Sequence, residues 1–238
     1  MHATPDDEHA DGETHAVGIT NEEWCRWLQE DVRACSAYAT HGDILDECCA
    51  VAASWRERFW DRKQLWSRIR HGRRLAKELH EIAPVIRAVR MALASMTDAN
   101  QQKVTIIDLC SGFGYLGMFL SELLPRDRVD RIVLVDLMWA PQNVERLPHH
   151  LNPEHVLAPG WPIRLTTSRA NLKVPSDRRS LAKAFLSHGA PAMLLGVHLC
   201  GTLSLRAIEL YNDCPGFGLV ALEPRRPTYG PSLAYTQA

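Results

Sequence analysis

The stretch 104–136, VTIIDLCSGFGYLGMFLSELLPRDRVDRIVLVD, constrains this chain more than any other. It runs from a short apolar segment of β type, through a turn with glycines at 112, 114 and 117, into an apolar-periodic helix, and then to a second apolar segment closed by an acid. Strand, glycine turn, helix and strand in that order form a βαβ nucleotide-binding unit. Gly112 and Gly114 carry no Cβ, so the backbone there can turn tightly and approach a ligand closely. Asp136, at the end of the second strand, is placed to accept hydrogen bonds from ribose hydroxyls.

Two ligand classes compete for this turn. Residues 112–117 satisfy G-x-G-x-x-G, with an acid further on, which is the form of a dinucleotide site and of an NAD-type oxidoreductase. Asp108 argues against that reading, because a carboxylate at the mouth of the turn repels the pyrophosphate that a helix N-terminus attracts. The same carboxylate suits the ammonium of a methionyl group. Acid, three residues, Gly, any residue, Gly is the spacing found in loops that bind S-adenosylmethionine (SAM), and Asp108, Gly112 and Gly114 have it.

The chain has 238 residues, 46% of them apolar, enough for one doubly wound domain plus a helical appendage. A formal charge of −1 gives no global pull toward nucleic acid or a membrane surface. Seven cysteines, an odd number without a C-x-x-C pair, argue against a disulfide framework and against a common zinc module, and fit a reducing, intracellular compartment. No apolar run is long enough for a membrane span. The acidic N-terminus is the opposite of a secretory or transit peptide.

Residues 1–19 read as a disordered acidic tail. Thr20 and Glu23 have the form of a capping box, and Trp24, Trp27, Leu28, Val32 and Cys35 recur at helical spacing behind it. After a break at 40–43, Ile44, Leu45, Cys48, Ala52, Trp55 and Phe59 fall on one face of a second helical region that extends through the sixties. A third covers 75–96, with a bend expected at Pro84. The segment from Arg56 to Lys77 holds nine Lys or Arg against two acids, interleaved with Phe59, Trp60 and Trp66. It is either an RNA-binding patch that grips phosphates and stacks a base, or a solvated helix face whose aromatics pack on the main domain.

Helical region 20–96 and a polar linker precede an alternating pattern over 104–224. Strands are expected at 104–108, 131–136, 163–168, 192–199 and 219–223. Helices are expected at 113–124, at 177–188 capped by Ser176 and ended by Gly189, and at 203–212. The proline-rich stretch 137–162 reads as loop. Alternation of this kind gives an α/β, Rossmann-like parallel sheet whose ligands lie past the carboxyl ends of the strands. His198 and Cys200 alternate with Leu199, so in an extended segment both face one side at such an end. Neutral His198 has the intrinsic pKa of a general base; a buried structural pair is the other reading.

The glycine loop DLCSGFGYL, the acid-ended VLVD, the block PIRLTTSRANL and the segment GVHLCGTLSLRAIELYND together resemble a branch of the class I SAM-dependent methyltransferases. The element His198-Leu199-Cys200-Gly201 is similar to one in tRNA ribose 2′-O-methyltransferases. The resemblance covers about 100–224. It implies a SAM-dependent methyltransferase with Asp108, Cys110, Ser111, Gly112 and Gly114 around the methionine part of the cofactor. It also implies Asp136 on the ribose, Asn171 near the adenine amine, and His198 and Cys200 on the acceptor side. Cys110 stands where many members have a glycine, which suggests a wider turn. Members also continue with further strands after the fifth, whereas 225–238 reads as an irregular tail. That departure keeps open a non-catalytic adapter that retains the fold.

Overall fold

A computed structural model of the chain describes residues 20–69, 72–96, 102–141, 145, 147–157, 160–186, 191–197, 199–214 and 217–222. The expected tails, 1–19 and 225–238, lie outside these residues, as do His198 and Gly189. The chain forms two compact units, one up to Lys77 and one from Glu78 onward. The division falls inside a helix that the sequence pattern assigns wholly to the N-terminal region.

In the first unit, α1 (Asn21–Arg33) begins with the expected capping box: Thr20 and Glu23 each accept a backbone N–H from the other. It buries Trp24, Leu28 and Val32, while Trp27 stays partly exposed. α2 (Tyr38–Phe59) runs through the expected break, which survives as a kink at the non-helical His41. α3 (Lys63–Ile69) is a separate short helix. The guanidinium of Arg56 lies 5.8 Å from the Trp24 ring and 5.7 Å from the Trp66 ring, and donates to the Thr20 carbonyl at 3.1 Å. Arg58 and Arg62 flank the buried Phe59 ring. Three cations of the basic segment are therefore tied to aromatic rings of their own unit. Trp60, 71% exposed, is not buried by any of them.

α4 (Gly72–Ser95) carries Pro84 without interruption. Its second-unit part buries Leu79, Ile82, Ile86, Val89 and Leu93 at helical spacing. Arg128 donates to the carbonyls of Leu93 and Met96 and so satisfies the helix's C-terminal end.

The second unit contains β1 (Val104–Leu109), α5 (Tyr115–Leu123), β2 (Val129–Val135), α6 (Glu154–Leu157), β3 (Arg164–Ser168), α7 (Pro175–Leu186), β4 (Ala192–Gly196), α8 (Leu203–Asn212) and β5 (Phe217–Leu222). The described strands form one sheet in the order β3-β2-β1-β4-β5, and each pairing is parallel. This is the expected Rossmann-like arrangement. The order reverses between β1 and β4, so a crevice opens past their carboxyl ends. Ser121, fully buried in α5, donates to the Ile163 carbonyl and accepts its N–H, which fixes that helix to the entry of β3.

Most boundaries shift by one or two residues, and three departures from the expected elements have a local cause. β4 stops at Gly196 rather than 199, because Leu199 folds back so closely that a Cβ at Gly196 would meet its Cδ1 at 2.7 Å. The alternation that put His198 and Cys200 on one face of a strand therefore does not apply. α7 starts at Pro175, so Ser176 lies inside the helix rather than capping it; proline suits the first helical position. The proline-rich stretch after β2 contains a short helix, α6, whose start is marked by Asn152 accepting the Glu154 N–H.

Candidate functional site

β1 delivers Asp108 to the next-to-last position of the central strand, paired with Leu134 of β2 and Leu195 of β4, where it is 2% exposed. A carboxyl group so deep at a strand end is unusual among aspartates and calls for a polar counterpart. Directly after it the chain turns. Cys110 has φ +54°, the left-handed conformation natural to glycine, and Gly112 and Gly114 follow at +52° and +93°. The expected widening at Cys110 is thus not needed. The cysteine takes up the glycine-like backbone at a strain of about 1–2 kcal/mol.

The three glycines of the turn serve different ends. A Cβ at Gly112 would meet nothing within 4 Å, so this residue borders open space. A Cβ at Gly114 would lie 2.8 Å from Leu134 Cδ1, and one at Gly117 would overlap Leu134 Cδ2. Gly112 therefore permits close approach from the crevice, while Gly117 permits α5 to pack on β2. Directly before Gly112, Ser111 holds a buried Oγ with no hydrogen-bond partner among the described residues. A buried hydroxyl left in this state costs about 1–3 kcal/mol, which a ligand beside it would recover.

Asp136 follows β2 and is half-buried. Its Oδ2 accepts the Gly112 N–H at 2.9 Å and its Oδ1 accepts the Met138 N–H at 2.8 Å. Leu137 and Met138, just beyond it, are 43% and 39% exposed. They form an apolar lip beside the acid, which the sequence reading did not single out. Adjacent exposed apolar residues after a strand-end acid were the available signal.

Burial, with the Asp136, Asp108 and Cys200 charges adding to it, pushes the Cys110 thiol up to about 12. Cys110 therefore acts as a neutral, packed group and not as a nucleophile at neutral pH. Cys200 itself is exposed, ahead of the left-handed Gly201 that leads into α8.

Asn171 lies past β3, and its side-chain oxygen accepts the Lys173 N–H at 3.0 Å while its own N–H donates to Asp177 Oδ2 at 2.9 Å. It builds the turn into α7. Asp108, Cys110, Ser111, Gly112, Gly114 and Asp136 are thus drawn together at one strand end, whereas Asn171 is engaged in its own turn.

His155, in α6, was also missed. It is 5% exposed, stacks on Phe113 with ring centroids 3.9 Å apart, and sets Nε2 2.7 Å from the Phe113 carbonyl. Trp139 lies on the same cluster, 5.9 Å from the imidazole.

The glycine turn, the buried acid, the unpartnered hydroxyl and the open face at Gly112 fit an adenosyl amino acid better than a pyrophosphate. A family model described as a methyltransferase domain matches residues 77–215, from within α4 to just past α8. No curated protein matches the chain. Among the described residues no helix is long and apolar enough to cross a membrane.

Proposed function

The chain belongs to the methyltransferase-domain family and is a SAM-dependent methyltransferase, and from that premise we propose which of its residues hold the cofactor and what they do. The dinucleotide reading of the glycine turn gives way to this one. Asp108 and Ser111 receive the methionyl end, Asp108 by its carboxyl group and Ser111 by its unpartnered hydroxyl. Gly112 and Gly114 let backbone come close to that end. Asp136 takes the ribose hydroxyls on the lone pairs that Gly112 and Met138 leave open, with Leu137 and Met138 beside it. Asn171 marks the adenine side through its amide group.

Bound SAM would supply an electrophilic sulfonium methyl for an acceptor lone pair, with sulfur as the leaving group and the acceptor's proton left for a base to take. Cys200 borders the acceptor side from its exposed position ahead of α8. His198, two residues before it in the chain, takes the acceptor's proton, a role that its chemistry and the family resemblance support. Positioning by the crevice contributes the larger share of the acceleration.

The observation that carries the reading is the buried, unpartnered Ser111 hydroxyl beside the open face of Gly112. Calorimetry with S-adenosylhomocysteine tests it. Wild-type protein binds, and D108N binds at least about tenfold more weakly, the loss of one charged contact. Equal affinity of the two proteins would remove Asp108 from the site.

RNA is the acceptor class we propose. The support is Trp60, 71% exposed in the basic segment and next in the chain to Phe59, whose ring Arg58 and Arg62 engage; it offers a free aromatic face for a base. Radiolabelled methyl transfer to fractionated cellular RNA and protein decides the class. Cofactor binding without transfer to either fraction would favour the adapter.

A further inference from the structure

Phe113 lies between two glycines in left-handed conformations, Gly112 and Gly114, in a turn that the Gly114 N–H closes on the Ser111 carbonyl at 2.8 Å. Two other segments brace that turn through side chains. Asp136 holds the leading side by accepting the Gly112 N–H. His155 holds the trailing side: its Nε2 lies 2.7 Å from the Phe113 carbonyl, and its ring stacks on the Phe113 ring within 5° of parallel. The other nitrogen, Nδ1, lies 2.8 Å from the carbonyl of Asn152, at the start of α6.

A carbonyl oxygen only accepts, so each of these links needs a proton on the ring nitrogen concerned. The link to Phe113 requires the Nε2–H form, and holding both carbonyls at once requires the ring protonated on both nitrogens. The Cβ of a residue at 114 would also meet Val156 of α6 at 3.5 Å, so α6 lies directly against the turn.

We infer that His155 is a positioning residue for the glycine turn, acting through Nε2–H donation to the Phe113 carbonyl, and that cofactor affinity depends on this one bond. The inference rests on the reading of the crevice as the SAM pocket. A buried histidine that merely filled space would contribute to stability and leave affinity alone.

Two substitutions separate the nitrogens. The amide nitrogen of glutamine reaches where Nε2 lies and that of asparagine where Nδ1 lies, so H155Q retains the donation to Phe113 and H155N retains the donation to Asn152. Binding of S-adenosylhomocysteine is measured by calorimetry on the full chain, with thermal unfolding in parallel. H155Q binds within about threefold of wild type and H155N about tenfold or more weaker, the span of one buried hydrogen bond, with similar unfolding midpoints. Equal affinities for H155Q and H155N overturn the inference. Wild-type protein that binds no S-adenosylhomocysteine overturns the pocket reading itself, and that arm is read before any variant. If H155N does not fold, ring-nitrogen NMR of the wild-type chain decides: a proton on Nε2 supports the inference, and a bare Nε2 overturns it.

Discussion

The N–H of Gly112 donates to Oδ2 of Asp136 at 2.9 Å, so the acid that ends β2 holds the turn that follows β1. The other oxygen of the same carboxylate accepts from Met138. Asp136 therefore shapes its own loop and the neighbouring turn before any ligand arrives. Each oxygen keeps a second lone pair for a hydroxyl. Such preorganisation lowers the ordering cost on binding.

D136N tests the arrangement. The amide presents one oxygen and one NH2 group, so one of the two backbone N–H groups must face a donor. A cost of about 1–3 kcal/mol in stability follows, together with at least about tenfold weaker binding of S-adenosylhomocysteine. Urea unfolding and calorimetry measure the two effects. Wild-type stability in D136N would show that the carboxylate does not hold the turn.

The glycines predict opposite patterns of damage. G112A meets open space and carries only left-handed strain of about 1–2 kcal/mol, yet its methyl enters the crevice, so affinity falls more than stability. G117A overlaps Leu134 on β2 and costs about 1–3 kcal/mol by overpacking. Adding L134A to G117A makes room for the methyl. A double-mutant cycle by urea unfolding then returns a coupling above about 0.5 kcal/mol, and strict additivity would count against the close approach.

How far the sequence carried depended on whether one-dimensional pattern or packing decided the outcome. β1, its turn and β2 were legible because apolar runs, obligatory glycines and a terminal acid each have one physical reading. The end of β4 was not, since Val197 and Leu199 extend the apolar pattern of 192–195 past Gly196 and only the fold-back of Leu199 onto Gly196 stops the strand. Ser176 has the form of an N-cap, but Pro175 already starts the helix. His155 stayed hidden among prolines in a stretch without periodicity. The signal available was Asn152-Pro153, a helix-start pair. Its stack on Phe113, 42 positions away, belongs to the tertiary structure alone. Of the site, the residues on the glycine turn and Asp136 were found by pattern. The local engagement of Asn171 was not, because the sequence does not tell which partner an amide takes.

Arg56 separates charge from stacking. Its guanidinium sits over Trp24 and Trp66 and donates to the Thr20 carbonyl, while the Glu23 carboxyl held by the same Thr20 lies below its ordinary range through those cap bonds. R56K keeps the charge and loses the planar stack. The first unit should lose about 1 kcal/mol of stability in R56K. RNA affinity, measured by filter binding across a salt series, should keep its salt slope if Arg56 acts only within its own unit. A slope smaller by about one would assign Arg56 a phosphate contact.

Cys110 yields a prediction in pH. Its thiol is pushed up to about 12, by burial first and then by the charges of Asp136, Asp108 and Cys200, whereas its ordinary value is 9.0. In the unfolded chain the proton leaves near that ordinary value, and in the folded chain it stays on to higher pH. The stability this group contributes is therefore complete below about pH 9 and declines as pH rises from there through about 12. Urea midpoints of wild type and C110A measured at pH 8 and pH 10 should diverge, the wild type falling further. Alkylation by iodoacetamide at pH 8, followed by peptide mass spectrometry, should label exposed Cys200 first and Cys110 on the order of a hundredfold more slowly. Equal labelling would mean that the turn opens to solvent, and the burial of the thiol against the apolar cluster would no longer hold.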